Sequence, residues 1–231
     1  EHTRRPTVVK VLNSITLAHM NHYLGPVTPA EVSRELASLC ASLAPSVEPI
    51  YVSVKPIEGA PANECFPLVE ATVSREGGRA LFGWSLWEFP GVFVEAEFHA
   101  VWSSPTGELV DVTPKNHQVG RILFLSSTDA AYSGRQMNNI RLAISNDPCV
   151  TEYFATFDRE FELLNRGARA DQHGEIELTD SEADEYESIQ ERKAFLFPQI
   201  LRLAALIGAY TPCPCNSGKK VRWCHGVKNV G

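Results

Sequence analysis

The sequence has no apolar run approaching the roughly 18 to 20 residues that a membrane-crossing helix needs, and so gives no reason to expect a membrane partner. It also lacks an excess of positive charge. Its 21 Lys and Arg stand against 28 Asp and Glu, for a formal net charge of -7. A dedicated nucleic-acid binder needs surplus cations to displace counterions, so that class is set aside. There is no internal repeat and no low-complexity tract. Glu1 to Pro6 carries Arg4 and Arg5 but no uninterrupted apolar stretch follows, so no signal peptide is expected. The first residue is Glu rather than Met, which leaves the natural start open. A secreted disulfide framework is also missing. Cys213, Cys215 and Cys224 crowd the C-terminus, while Cys40, Cys65 and Cys149 lie far apart. Clustered thiols beside a His suit a reducing compartment, so the expected location is the cytoplasm.

What is present suits one substantial core plus a small appendage within 231 residues. Residues 7–23 read as a helix, with Val8, Val11, Leu12, Ile15, Leu17 and Met20 near helical spacing. Thr28-Pro29-Ala30-Glu31 has the form of a capping box, so a second helix is expected from there to about Ala44. Ile50-Tyr51-Val52-Ser53-Val54 alternates and is β-branched, which predicts a strand. A loop around Asn63 leads to a helix from Cys65 to about Ser74, ended by Gly77-Gly78. Strands are expected over 79–87, 92–102 and 108–113, separated by Pro90-Gly91 and by Ser104-Pro105-Thr106-Gly107, with another over 121–125. From Asn138 the pattern turns helical, with one amphipathic segment over 148–165 and a polar linker over 166–177. An acidic first turn after Thr179 opens a last helix towards Ile207, which Pro198 should kink or divide. The fold class is α+β: an antiparallel sheet carrying a packed helix, with flanking helices. Four regions are expected: N-terminal helices (1–48), the core (49–136), a helical region packed on it (137–208) and a C-terminal appendage (209–231).

That appendage reads Cys213-Pro-Cys215-Asn-Ser-Gly-Lys-Lys-Val-Arg-Trp-Cys224-His225. Two cysteines one residue apart supply one edge of a tetrahedron, Asn216-Ser217-Gly218 reverses the chain, and Cys224 with His225 closes the site. Three thiolates and one imidazole form a common ligand set for a single structural Zn2+. A segment this short cannot bury a core, so metal binding provides its folding free energy. The segment resembles the SEC-C motif, the zinc-binding tail first known from the preprotein translocase motor ATPase. The resemblance implies an interaction module that recruits a chaperone or the ribosome. Lys219, Lys220 and Arg222 then present a basic face to an acidic partner, or are simply a solvated turn. Trp223 is either packed or contacting.

The middle of the chain suggests chemistry. Cys65 opens a helix, where the positive end of the helix dipole favours a thiolate. His99 sits in the second strand after it and Asp111 in the third. Along the first of these two strands, Glu95, Glu97, His99 and Val101 share one face, while Val94, Ala96, Phe98, Ala100 and Trp102 share the other. On the next, Leu109, Asp111 and Thr113 share a face. The expectation is that the apolar set buries the sheet and the polar set lines a cleft. In that arrangement Cys65 attacks a carbonyl carbon, His99 accepts and returns protons, and Asp111 orients the imidazole. The oxyanion donors are the backbone N–H of Cys65 with Asn63, Tyr51 or Trp84 as second candidates.

The order of Cys on a helix, then His and Asp on successive strands, resembles the transglutaminase-like papain relatives, including the arylamine N-acetyltransferases. The resemblance covers about residues 51–114. It implies a transglutaminase-like core and a peptidase, deamidase or transglutaminase acting on a protein substrate. Two alternatives stay open: a non-catalytic adaptor that binds a client and docks through its zinc tail, and a second metal held by Cys65, His99 and a carboxylate. His117 is a weaker substitute for His99. Cys40 and Cys149 read as packing residues.

Overall fold

The computed structural model describes residues 7–10, 25–62, 64–127, 132–172, 175–205 and 220. It is a mixed α+β structure. The strands β2 (Ile50–Val54), β3 (Arg79–Phe89), β4 (Phe93–Ser103), β5 (Leu109–Asp111), β6 (Arg121–Ser126) and β7 (Ile140–Ala143) form one sheet in the order β3-β6-β2-β5-β4-β7. β3 also pairs with β4 along its whole length, from Arg79↔Ser103 to Phe89↔Phe93. That pairing closes β3, β6, β2, β5 and β4 into a barrel, with β7 appended to the first half of β4. Closure removes the free edges that an open sheet would present.

The sheet is not purely antiparallel as expected: β2 runs parallel to β5, with Ser53↔Val110 and Val54↔Asp111 in register. The Tyr51-to-Asp111 part of the chain spans a helix and a hairpin, long enough for the crossover that a parallel pairing needs.

Alternation divides the side chains into two sets. Val52, Trp87, Val101, Ile122 and Phe124 fill the inside of the barrel with Val54, Leu81 and Leu109. The outside is covered by two helices. α1 (Arg34–Leu43) buries Leu36, Leu39 and Cys40 against Trp84, Leu86, Val94, Ala96, Leu123 and Leu125. α2 (Cys65–Glu76) buries Cys65 and Val69 over Ala100, Val110 and Val112. Beyond the β3–β4 turn, α3 (Pro148–Leu164) and α4 (Asp180–Ala205) join Phe89, Val92 and Phe93 in a further apolar cluster.

Several expectations fail for tertiary reasons. Thr7–Lys10 is a strand, β1, rather than the start of a helix; it pairs antiparallel with β8 (Glu175–Leu178), which overlaps the end of the stretch expected to be a linker. Thr7, Val8 and Val9 are β-branched, and a partner strand lets that local preference win. The rest of the helix expected over 7–23 lies outside the described residues. The apparent capping box does not start α1. Val27 exchanges backbone hydrogen bonds with Glu88, and the Thr28 hydroxyl donates to the Arg121 carbonyl at 2.8 Å, so this segment stays extended. Ser33 caps the helix instead, accepting the Leu36 N–H at 3.1 Å.

Residues 140–143, expected to be helical, form β7, where Arg141 lies opposite Glu95 and forms an ion pair with it. Pro198 does not divide α4, which runs through it. Leu196, Phe197 and Ile200 flank the proline and are all buried against α3 and the β3–β4 turn, so packing on both sides holds the helix where one hydrogen bond is lost. Other expectations agree closely. Thr179 precedes α4 and its N–H donates to the Glu182 carboxylate at 3.1 Å, as a helix start of that composition should.

Candidate functional site

α2 begins at Cys65 because the loop before it ends there, with Glu64 at the cap but no side-chain capping bond. It ends at Gly77, whose φ of 72° lies in the left-handed region and whose N–H donates to the Val73 carbonyl at 2.9 Å. Cys65 is 5 % exposed and belongs to the cluster of Val69, Ala100, Val110 and Val112.

His99 and Asp111 do meet. The expected polar face of β4 and β5 turns inward, not towards a cleft, because barrel closure makes that face the interior. His99 is 3 % and Asp111 0 % exposed. His99 Nε2 lies 3.2 Å from Asp111 Oδ2. Opposite His99 on β3 is Gly83, where an added Cβ would lie 2.2 Å from the Leu125 carbonyl oxygen. A glycine is needed there for this close backbone approach.

Asp111 is held at both oxygens. Oδ1 accepts the Thr113 N–H at 3.0 Å. Oδ2 meets two cationic groups, His99 and the Lys115 ammonium at 2.7 Å, as ion pairs rather than well-aligned hydrogen bonds. Lys115 Nζ also lies 3.4 Å from His99 Nε2. Burial alone would push the Asp111 carboxyl up, but His99 and Lys115 overcome it and hold it well below the usual carboxylate range. His99 shows the opposite balance. Burial and Lys115 disfavour its cation, yet Asp111, with a smaller contribution from Cys65, outweighs them and raises it to about 9. The ring is therefore poised to carry a proton at neutral pH.

The thiol lies on the other side of the strands from this pair. Ala100, Val110 and Val112, which pack under α2, alternate with His99 and Asp111, which point into the barrel. Tyr132 stacks on Phe66, the second residue of α2, with ring centroids 3.8 Å apart.

Other sequence candidates fare differently. Tyr51 gives its hydroxyl to the Pro29 carbonyl at 2.9 Å and its ring to Arg121, so it is already committed away from Cys65. Trp84 is buried on the outer face, 5.5 Å from the Phe98 ring, which in turn lies 5.3 Å from Phe66. Asn63 lies outside the described residues. His117 sits beside Lys115 and near Trp87, and burial followed by Lys115 lowers it to about 4. Cys40 and Cys149 are packing thiols: burial, assisted by Glu48 and Asp147 respectively, pushes both up to about 11.

Sequence reasoning missed Lys115, which reads as one more surface lysine until the loop after β5 folds it back to a 9 % exposed side chain. It also missed that Glu97, on the inner face, accepts the Trp87 indole N–H at 2.9 Å. The cross-strand offset of residues 87 and 97 was the available signal.

Cys213, Cys215, Cys224 and His225 lie outside the described residues, as do Lys219 and Arg222; Lys220 is exposed. The donor set itself, three thiols and an imidazole, is of the kind that holds structural zinc. Among the described residues no group of three His, Cys, Asp or Glu side chains is placed to hold a metal, and no helix is long and apolar enough to cross a membrane. No family model, curated protein or solved structure matches the chain.

Proposed function

We propose that the chain is a cysteine-dependent enzyme that transfers or hydrolyses an acyl group at an amide, with a zinc knuckle as a docking tail. The observation that carries this reading is the buried His99–Asp111 pair at 3.2 Å, on strands whose other face carries the helix that Cys65 opens. The order of a helix-opening Cys followed by His and Asp on later strands is that of the transglutaminase-like resemblance. Cys65 is the nucleophile. The His99 ring, already protonated at neutral pH, gives its Nδ1 proton to the leaving amine and recovers one from the incoming water or amine, while Asp111 fixes the ring through Nε2. The carbonyl oxygen is stabilised by the Cys65 backbone N–H. Water as the acceptor gives hydrolysis and an amine gives transfer.

The C-terminal tail, with its SEC-C resemblance, has a closed four-ligand set that leaves no coordination position for a substrate. It therefore serves as a handle for a chaperone or the ribosome, delivering the enzyme to a protein substrate.

Native-state alkylation of the full chain, resolved by peptide mass spectrometry, tests the chemistry. Cys65 should react at least tenfold faster near neutral pH than Cys40 and Cys149, and Cys65→Ala should fold normally. Equal rates at the three thiols would remove the nucleophile and with it the enzyme.

One observation favours a second reading, a non-catalytic adaptor: Cys65 lies within an apolar cluster on the opposite strand face from His99. That reading predicts that removing residues 212–231 abolishes partner binding while Cys65→Ala leaves it unchanged.

A further inference from the structure

The wall of the barrel is incomplete beside His99. β3 lines one edge of β4 along its whole length. On the other edge β7 pairs with residues 93–96, and β5 pairs with Trp102 and Ser103. Among the described residues no strand pairs with that edge between Glu97 and Val101, the stretch that carries His99. Continued in the register of Trp102↔Val110, the chain after β5 would set Pro114 opposite Phe98, and a proline has no N–H to give to a ladder. The chain follows β2 and its continuation instead: the Lys55 and Ile57 N–H groups donate to the Asp111 and Val112 carbonyls at 2.9 and 3.0 Å.

The segment that follows reaches back to this gap. Its far end is pinned at Gly120, whose carbonyl accepts the Val54 N–H at 3.1 Å. Between the two ends the side chains alternate: Asn116 and Gln118 are exposed, while Lys115, His117 and Val119 turn towards the barrel. Lys115 Nζ lies 2.7 Å from Asp111 Oδ2 and 3.4 Å from His99 Nε2. The His117 ring lies 6.2 Å from that of Trp87, and Val119 packs on the barrel cluster of Val52, Val101 and Ile122. The charged anchor is releasable. A buried ion pair adds little net stability, since desolvation offsets much of the attraction. When Lys115 leaves, its ammonium regains water, and Asp111 keeps the His99 ring 3.2 Å away, so the carboxylate is not left alone.

We infer that residues 114–119 are a strap over this gap, latched by Lys115 on Asp111, whose lifting lets solvent and substrate reach His99. With the strap down His99 is only 3 % exposed, so the His99–Asp111 pair is closed off. β3 and β4 hold each other through a ladder that runs from Arg79↔Ser103 to Phe89↔Phe93. The strap has one ion pair and two side-chain contacts, so it opens locally while the barrel stays folded. The inference does not depend on Cys65, since whatever acts with His99 must first reach it.

The test uses the full chain and two variants, Lys115→Gln and Lys115→Arg. Thermolysin, which cuts before apolar residues, reads strap opening at the Gln118–Val119 bond, while cuts within β3 and β4 read unfolding of the barrel. Exchange of the His99 ring N–H with water, followed by NMR of labelled imidazole, reads access to the pair. In the native chain the Gln118–Val119 bond should be cut at least tenfold faster than any bond in β3 or β4. Lys115→Gln removes the charge and should raise strap cleavage and His99 ring exchange each at least tenfold more than cleavage in β3 and β4 rises. Lys115→Arg keeps the charge and should stay within threefold of the native chain in both. Strap cleavage that only keeps pace with β3 and β4 overturns the inference, because the segment then opens with the whole barrel. Strap cleavage that rises while His99 exchange stays constant also overturns it, because the strap then does not guard the ring. If Lys115→Gln does not fold, the native chain decides, by whether its strap is cut ahead of β3 and β4. An unreactive Cys65 removes the enzyme proposed above and leaves this inference standing. A reactive Cys65 in a chain whose strap never opens alone does the reverse.

Discussion

Asp111→Asn keeps the size of the side chain and removes the one anion that His99 and Lys115 share. The Thr113 N–H can still donate to the amide oxygen, so the loop geometry has a reason to survive. The charge balance does not. Lys115, with a side chain only 9 % exposed, loses its partner at 2.7 Å. Removing one member of a buried pair typically costs about 3 to 5 kcal/mol, because the other charge is left unpaired. For a chain of this length each kcal/mol moves the melting temperature by about 2 to 4 °C, so a fall of roughly 6 to 20 °C is expected.

The pH dependence is the sharper signature. His99 is raised from 6.5 to about 9, so the folded state holds its proton more tightly than the unfolded chain. The stability this contributes, about 3 kcal/mol by the size of the displacement, is fully present below pH 6.5 and is lost as the pH rises through 9. His117 is lowered to about 4, so it costs stability on the acid side, and stability climbs with pH between about 4 and 6.5. The native protein should therefore be most stable near pH 6.5. In Asp111→Asn the main group favouring the imidazolium is gone, so the alkaline limb should flatten while the acid limb from His117 remains. Thermal melts between pH 4 and 9.5 read both limbs. An alkaline limb of unchanged slope in Asp111→Asn would refute the reasoning, since the raised His99 could not then depend on Asp111.

Two further outcomes concern the barrel and the tail. Gly83→Ala should destabilise the fold by about 1 to 3 kcal/mol, the usual range for overpacking, because its Cβ would lie 2.2 Å from backbone rather than from a yielding side chain; a denaturant midpoint equal to that of the native chain would contradict the close approach. Metal analysis of the full chain should find one zinc, lost in Cys213→Ser, while the melting transition of the barrel is unchanged; two zincs, or one that survives this change, would contradict a single knuckle site.

The local pattern was enough to predict much of this protein. The strand at Ile50–Val54, the helix from Cys65 to the Gly77 stop, the long hairpin of β3 and β4 and the amphipathic α3 all follow from periodicity and turn chemistry, which act between near neighbours. The pairing of His99 with Asp111 was also legible, since two strands joined by a tight turn place residues of matching parity on one face. The errors fall where a distant partner decides. Thr7–Lys10 and Ile140–Ala143 are strands because β8 and β4 offer edges to them, and Thr28 is drawn from its apparent cap by the Arg121 carbonyl. The largest change is closure. Alternation alone assigned His99 and Asp111 to one polar face, but could not say whether that face met solvent. The β3–β4 pairing and the parallel β2–β5 contact turn it into the inside of a barrel, and folding of the loop after β5 brings Lys115 into it. Burial and the third charge are long-range consequences of closure, and they set the protonation of the two side chains whose proximity the sequence had already indicated.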